Sequence, residues 1–123
     1  MSWEFAADRP IYSQLVERIS INIINGSYSA GERLPSVRDL AAQAKVNPNT
    51  MQRALAELET MGLVFAERTT GRFVTEDQNL IQTTKQALAC ERIQKFFATM
   101  ADLGIPKALA LELAENHQKG ESN

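Results

Sequence analysis

Two helix starts follow each other closely within residues 36–58, which read SVRDLAAQAKVNPNTMQRALAEL. Ser36, three residues before Asp39, has the form of a capping box, and apolar residues follow it at helical spacing. Asn47 and Pro48 repeat the signal, because the asparagine oxygen accepts from orphan amides and proline suits the first helical position. Only three or four residues join the two predicted helices, so the stretch predicts a helix-turn-helix.

A third helix and a short strand are predicted before this pair. The helix begins near Pro10 and carries apolar residues every fourth position, namely Ile11, Leu15, Ile19 and Ile23. Gly26 is expected to end it. Leu34 is expected to lie on a very short strand.

A β-hairpin is predicted after the pair. Residues 63–67 and 72–75 are rich in β-branched and aromatic side chains, and Gly71 between them can adopt a positive φ. The predicted fold is therefore mainly α with a small β-hairpin, a winged helix-turn-helix domain over residues 9–75.

Beyond Asp77 the sequence returns to helical periodicity. Apolar residues from Ala89 to Leu103 recur at alternating spacings of four and three, which is typical of a helix that packs along another helix. Gly104 is expected to end this helix and Pro106 to begin a shorter one, before a polar tail over 116–123 that we expect to fray. Residues 76–119 are predicted to form a two-helix dimerisation segment. Its candidate interface residues are Ile93, Phe96, Phe97, Met100, Leu103, Leu109 and Leu113.

Composition excludes several classes of protein. The 123 residues suffice for one domain with a small appendage, and no apolar run or basic leader indicates a membrane span or secretion, so we expect a cytoplasmic protein with no membrane partner. A single cysteine, Cys90, and a single histidine, His117, leave no disulfide and no zinc cluster. The sequence has no nucleophile–base pair and no phosphate-binding glycine loop. We therefore predict no catalytic residue, no metal site and no cofactor.

Net charge does not identify a partner. Thirteen basic and fifteen acidic residues give a net charge of −2, which argues weakly against nucleic acid. Residues 9–75 hold eight basic and six acidic residues, a local charge of +2. Because this excess is small, the positions of the basic side chains must decide.

One face of the second helix of the pair is predicted to be free. Its larger apolar side chains fall within about 40° of Met51 on the helical wheel, whereas Asn49, Gln52 and Arg53 fall on the opposite half. Asparagine and glutamine amides bind adenine edges, and arginine suits phosphate or guanine. Glu57 and Glu59 would repel phosphate, so only the amino-terminal half of this helix is expected to enter a DNA groove.

Arginines are predicted to flank this free face. Arg38, in the first turn of the preceding helix, and Arg72, beside the hairpin turn, are assigned to phosphates or the minor groove. Thr70 and the amide of Gly71 are expected to add backbone contacts. The candidate DNA-binding residues are Ser36, Arg38, Asn47, Asn49, Thr50, Gln52, Arg53, Thr70, Gly71 and Arg72.

Five strings carry a family resemblance, namely Pro10–Leu15, Gly31–Ala41, Val46–Thr50, Ala54–Glu59 and Gly71–Val74. Together they resemble the DNA-binding domain of GntR-type bacterial transcription regulators. The carboxy-terminal segment is similar to that of the small YtrA-like branch, in which two helices dimerise the protein. The resemblance implies DNA contacts from Arg38, Asn49, Thr50, Gln52 and the wing around Gly71.

The sequence departs from this family pattern at several positions. Pro48 stands where many relatives have an arginine, and Thr69 where many have a second wing glycine. Arg72 replaces a small residue, so the path of the wing is expected to differ. Lys45 occupies the turn between the two helices, where glycine is common, at a cost of about 1 kcal/mol if its φ is positive.

The function predicted from the sequence is a sequence-specific regulator, a repressor that binds a palindromic operator in double-stranded DNA as a homodimer. Pairing through residues 78–115 would place two reading helices about 34 Å apart, or a multiple of that distance, on an inverted repeat. A winged-helix adaptor that binds protein and has no operator is the alternative. The operator, the regulated genes and any small-molecule effector stay open.

Overall fold

The computed structural model describes residues 3–121, except for the side chain of residue 121. Within that range the predicted fold class is confirmed, with five α-helices and one two-stranded antiparallel sheet. Two compact units divide between Lys85 and Gln86. The elements in chain order are α1 (Ile11–Ile24), α2 (Val37–Ala44), α3 (Pro48–Thr60), β1 (Val64–Glu67), β2 (Gly71–Val74), α4 (Gln78–Asp102) and α5 (Lys107–Glu121).

The first helix packs on the third through the predicted stripe. Leu15, Ile19 and Ile23 are buried, whereas Ile11 at the amino end is exposed. Buried Gln14 holds the preceding segment against the helix: its side chain accepts from the amide of Ala6 at 2.7 Å and donates to the carbonyl of Ala6 at 2.8 Å. Burial of these apolar side chains stabilises the packing of α1 against α3.

Both predicted helix starts of the central pair are confirmed. Ser36 Oγ accepts from the amide of Asp39 at 3.1 Å, and Asn47 Oδ1 accepts from the amide of Asn49 at 2.8 Å. Between the helices, Lys45 adopts the left-handed conformation (φ 58°, ψ 46°), as the comparison with glycine-containing turns anticipated. The turn directs α3 across α1 and α2, and its inner side chains join the core. They are Met51, Ala54, Leu55 and Leu58.

The hairpin lies where the sequence predicts it. Val64 pairs with Val74 and Phe65 with Phe73 in register, and Gly71 at the turn has a φ of +114°. The strand expected at Leu34 is reduced to a single bridge between Arg33 and Phe73, while the amide of Leu34 donates to the carbonyl of Arg72. The wing is thus anchored on both edges of β2.

The first unit continues into α4. Asp77 Oδ1 accepts from the amide of Leu80 at 3.1 Å, which caps the helix, and Leu80 and Ile81 then pack against the core formed by α1–α3 and the hairpin. Tyr28 is also part of this core, and burial raises the pKa of its phenol, with a smaller contribution from the charge of Glu32.

The second unit comprises the rest of α4 and α5. Gly104, with a φ of +79°, ends the first of these helices as predicted. The fraying expected from residue 116 is wrong as far as residue 121, because α5 continues to Glu121. Glutamate, glutamine and lysine, which are common in this stretch, are good helix formers. An ion pair one helical turn long adds to this, with Lys119 Nζ 4.0 Å from Glu115 Oε1. Residues 122 and 123 of the predicted tail lie outside the described residues.

Two further features concern the described residues only. Across residues 3–121, no helix combines the length and apolarity that a membrane crossing requires. Over the same part of the chain, histidine, cysteine and acidic side chains form no group that could hold a metal ion.

Candidate nucleic-acid interface

Helix α3 separates a buried face from an exposed face. Met51, Ala54 and Leu58 have no exposed surface, whereas Asn49 and Gln52 project on the other side and are exposed. Thr50 between them is half-buried. Ala56 continues the exposed face without bulk, so the backbone can approach a ligand closely. The exposed face therefore offers unobstructed amide donors and acceptors of the kind that read base edges.

Arg53 on the same helix is oriented by an aromatic ring. Its guanidinium carbon lies 3.6 Å from the centroid of the Tyr12 ring on α1. This cation–π contact restricts a long side chain while the residue remains exposed. Sequence reasoning missed this role of Tyr12, because only the crossing of α1 and α3 brings the two residues together.

Several predicted residues line one depression between the start of α2 and the hairpin. It has a volume of about 360 Å³. Its lining comprises Ser36, Arg38, Gly71 and Arg72 from the predicted set, with Arg33, Leu34, Pro35 and Val37. Sequence reasoning missed Arg33; the signal was its position beside the predicted short strand. The depression brings three arginines to one side of the domain.

The arginines of the depression are not equivalent. Arg72 Nε donates to Glu59 Oε1 at 2.6 Å, and the two side chains are only 21% and 32% exposed. Arg33 and Arg38 are exposed and, among the described residues, make no ion pair. Glu59 therefore neutralises one cation of the predicted set, a pairing that neither residue's position in the sequence revealed.

Ser36 and Asn47 are committed in part to the backbone. Ser36 Oγ accepts from a backbone amide of α2, and the side-chain oxygen of Asn47, Oδ1, accepts from a backbone amide of α3. Within residues 3–121 nothing accepts from the hydroxyl hydrogen of Ser36 or from the side-chain NH2 of Asn47, so both remain as donors on exposed residues. Such donors at a helix start suit an anionic partner such as a phosphate.

The tip of the wing is exposed. Arg68, Thr69 and Thr70 form the turn between the strands, and Gly71 follows them. A side chain at Gly71 would be strained at its φ of +114°, and its Cβ would stand 3.2 Å from Arg33 Nε. Glycine thus permits close approach of the Arg33 side chain to the wing backbone.

The second unit exposes apolar side chains that a core would normally cover. Ile93, Leu103, Leu109 and Leu113 of the predicted dimerisation set are exposed, with Leu103 at 71%. Phe96, Phe97 and Met100 are half-buried. Leu111, which the sequence analysis did not select, is also exposed at 57%. An open groove of about 640 Å³ is lined by Phe96, Met100, Leu113, Ala114, Asn116 and His117.

Comparison with known proteins gives consistent matches. Residues 11–74 match the protein-family model described as "Bacterial regulatory proteins, gntR family". The HTH-type transcriptional regulator YhcF of Bacillus subtilis is 35% identical over 120 residues, which are 98% of this chain and 99% of that protein. The HTH-type transcriptional repressor YtrA of the same organism is 37% identical over 68 residues, 55% of this chain and 52% of that protein.

Solved structures give the same result. A GntR family transcriptional regulator from Listeria monocytogenes has a TM-score of 0.83 and 38% identity, and the match covers 91% of this chain and 98% of that chain. The DNA-binding domain of AraR, solved in complex with an operator, has a TM-score of 0.55 and 27% identity. That match covers 58% of this chain and 93% of the AraR chain.

Proposed function

The chain belongs to the gntR family of bacterial regulatory proteins and is a transcriptional regulator with a DNA-binding winged helix-turn-helix domain, and we propose that it acts as a homodimeric repressor on an inverted-repeat operator. In this proposal α3 enters the major groove, where Asn49, Gln52 and Arg53 read base edges. Arg38 and the wing around Gly71 hold the flanking backbone. As a bacterial DNA-binding regulator it would act in the cytoplasm, which contains the chromosome.

The free face of α3 is the observation that carries this proposal. Asn49 and Gln52 are exposed on a helix whose opposite face is completely buried, so the helix is rigid and its amides are available. The exposed Arg38, in the first turn of α2, lines the depression that also contains Gly71. Amides on a helix fixed by its buried face, together with an exposed cation of the same domain, would provide both base recognition and phosphate positioning.

The composition of the second unit supports a dimer. Among its described residues, only Ala110 is a buried hydrophobic residue, whereas several leucines and Ile93 are exposed. A segment of this size with so little core requires a partner surface to be stable. A second copy offers the same apolar residues, and two-fold pairing would supply the two reading helices that an inverted repeat needs.

The proposed mode of action is exclusion. A dimer bound across a promoter would block access of RNA polymerase by occupying the same DNA. The similarity to YtrA, described as a transcriptional repressor, supports repression over activation.

DNA binding is tested by electrophoretic retardation of genomic fragments, including the DNA upstream of the protein's own reading frame, at several salt concentrations. We expect one or few fragments to be retarded specifically, with log K falling linearly as log salt rises. Arg38→Ala should weaken binding to all fragments and make the slope shallower by about one per protomer, whereas Gln52→Ala should cost about 1–3 kcal/mol at particular base pairs. Retardation without sequence preference, or equal losses from both variants on every fragment, would contradict the proposal.

Dimerisation is tested by sedimentation equilibrium of Leu113→Asp. A carboxylate in the apolar groove should shift the protein to monomer and abolish tight operator binding. Leu111→Asp is the matched control, since residue 111 lies about 160° around α5 from residue 113 and is outside the predicted set. An unchanged dimer in Leu113→Asp, or equal dissociation in both variants, would contradict the assigned interface.

A further inference from the structure

We propose that Arg33, and not Arg72, supplies the wing-side cation that contacts the DNA phosphate backbone, while the pair of Arg72 and Glu59 holds the wing against α3. This inference rests on the DNA interface proposed above. It reverses the assignment made from sequence, in which Arg72 bound DNA and Arg33 had no role.

The Arg72 side chain is directed toward the domain and pairs with Glu59 there. Successive side chains of a strand point to opposite faces, so Arg72 and Val74 of β2 lie on the same face of the hairpin. Val74 is completely buried. Arg72 therefore points to the side of the hairpin that faces the domain, where its Nε donates to Glu59 Oε1 at 2.6 Å. Both side chains are largely covered. Moving Arg72 to a phosphate would break this charge-assisted bond and leave the Glu59 carboxylate unpaired near DNA.

The backbone around Arg33 is attached to the wing. Residues on each side of it are bonded to β2: the amide of Val74 donates to the carbonyl of Glu32, and the amide of Leu34 donates to the carbonyl of Arg72, both at 2.9 Å. Arg33 itself bridges to Phe73. The backbone that carries this arginine is therefore fixed to the wing and would move with it.

The guanidinium of Arg33 lies close to Gly71 of the wing. Its Nε and Nη2 lie 3.2 and 3.5 Å from the point that a Cβ of residue 71 would occupy, so it runs along the glycine backbone. The residue is exposed, and within residues 3–121 no carboxylate pairs with it. Across the same depression lies Arg38, whose guanidinium is also unpaired over those residues. Two unpaired cations around a glycine form a surface that attracts phosphate.

The test compares charge-removing variants by their salt dependence. Binding of Arg33→Gln and of the double variant Glu59→Gln/Arg72→Gln, which removes both charges of the pair, to the operator and to a generic duplex is measured at four salt concentrations, with Lys85→Gln as a control for loss of one exposed positive charge. A phosphate contact contributes about 0.9 to the slope of log K against log salt. We expect Arg33→Gln to make the slope shallower by about 0.9 per protomer, or about 1.8 for the homodimer, and to weaken binding to both duplexes by a similar factor, about tenfold per protomer at low salt.

The double variant Glu59→Gln/Arg72→Gln should leave the slope unchanged and lower the melting temperature. Circular dichroism at the assay temperature establishes that this variant is folded, and Arg33→Lys, which keeps the charge, should retain the wild-type slope. The proposal is overturned if the double variant makes the slope shallower and Arg33→Gln does not, if both do so equally, or if Arg33→Gln weakens binding to only one of the two duplexes.

Failure of the proposed operator binding gives a different result. The wild-type protein would then bind every duplex with the same affinity, and the generic duplex would still test the role of Arg33.

Discussion

Lys45→Gly is expected to stabilise the protein, although the substitution removes a side chain. Lys45 ends α2 in the left-handed conformation, at φ 58° and ψ 46°, and is the only residue other than glycine with a positive φ among those described. A left-handed L-residue costs about 1–2 kcal/mol, whereas glycine adopts this conformation freely. Glycine's greater freedom in the unfolded chain offsets about 0.4–1 kcal/mol of that relief.

The net gain in unfolding free energy should be about 0.5–1 kcal/mol, or about 3–6 °C in melting temperature for a unit of this size. The amide of residue 45 donates to the carbonyl of Ala42 and the amide of Val46 to that of Ala41, and glycine retains both bonds. Thermal and urea unfolding measure the effect. Lys45→Ala removes the same charge but keeps the strained backbone, so it should match the wild type. A glycine variant no more stable than the alanine variant would refute this explanation of the turn.

Two further predictions concern the first unit. A double-mutant cycle with Glu59→Gln and Arg72→Gln should give a coupling energy of about 1 kcal/mol in urea unfolding, since the pair is short but partly exposed; additive effects would mean that the ion pair does not hold the wing. Because the pKa of Tyr28 is raised in the folded protein, its neutral phenol stabilises the fold fully below pH 10, and this contribution is lost as the pH rises above that value. Between pH 9 and pH 11 the free energy of unfolding should therefore fall less in Tyr28→Phe than in the wild type. Equal falls would contradict this role of the Tyr28 phenol.

Local signals in the sequence predicted most of the fold. Ser36 and Asn47 cap their helices through bonds to residues two or three positions away, so the chain neighbours alone identify them. Periodicity likewise identified the buried face of α3 and, by exclusion, the exposed amides of Asn49 and Gln52. The positive φ of Gly71 follows from its place at a hairpin turn.

Contacts between distant parts of the chain could not be predicted in this way. The approach of Arg53 to Tyr12 depends on the crossing of two helices, and the pairing of Arg72 with Glu59 depends on the path of the wing. Arg33 reaches the wing only because a bridge to β2 brings it there. Each of these contacts changes what an arginine is free to bind, so residue type and spacing predicted which side chains are exposed better than they predicted what each cation is free to bind.

A loss-of-contact experiment at Gln52 tests the central claim, that the exposed face of α3 reads base pairs, most directly. The affinities of the wild type and of Gln52→Ala are measured against the operator and every single base-pair substitution in one half-site. We expect one base pair, or two adjacent ones, at which substitution costs the wild type about 1–3 kcal/mol but costs Gln52→Ala nothing further, while all other positions affect both proteins equally. If every substitution costs the two proteins the same, Gln52 contacts no base, and the orientation of α3 in the groove is wrong.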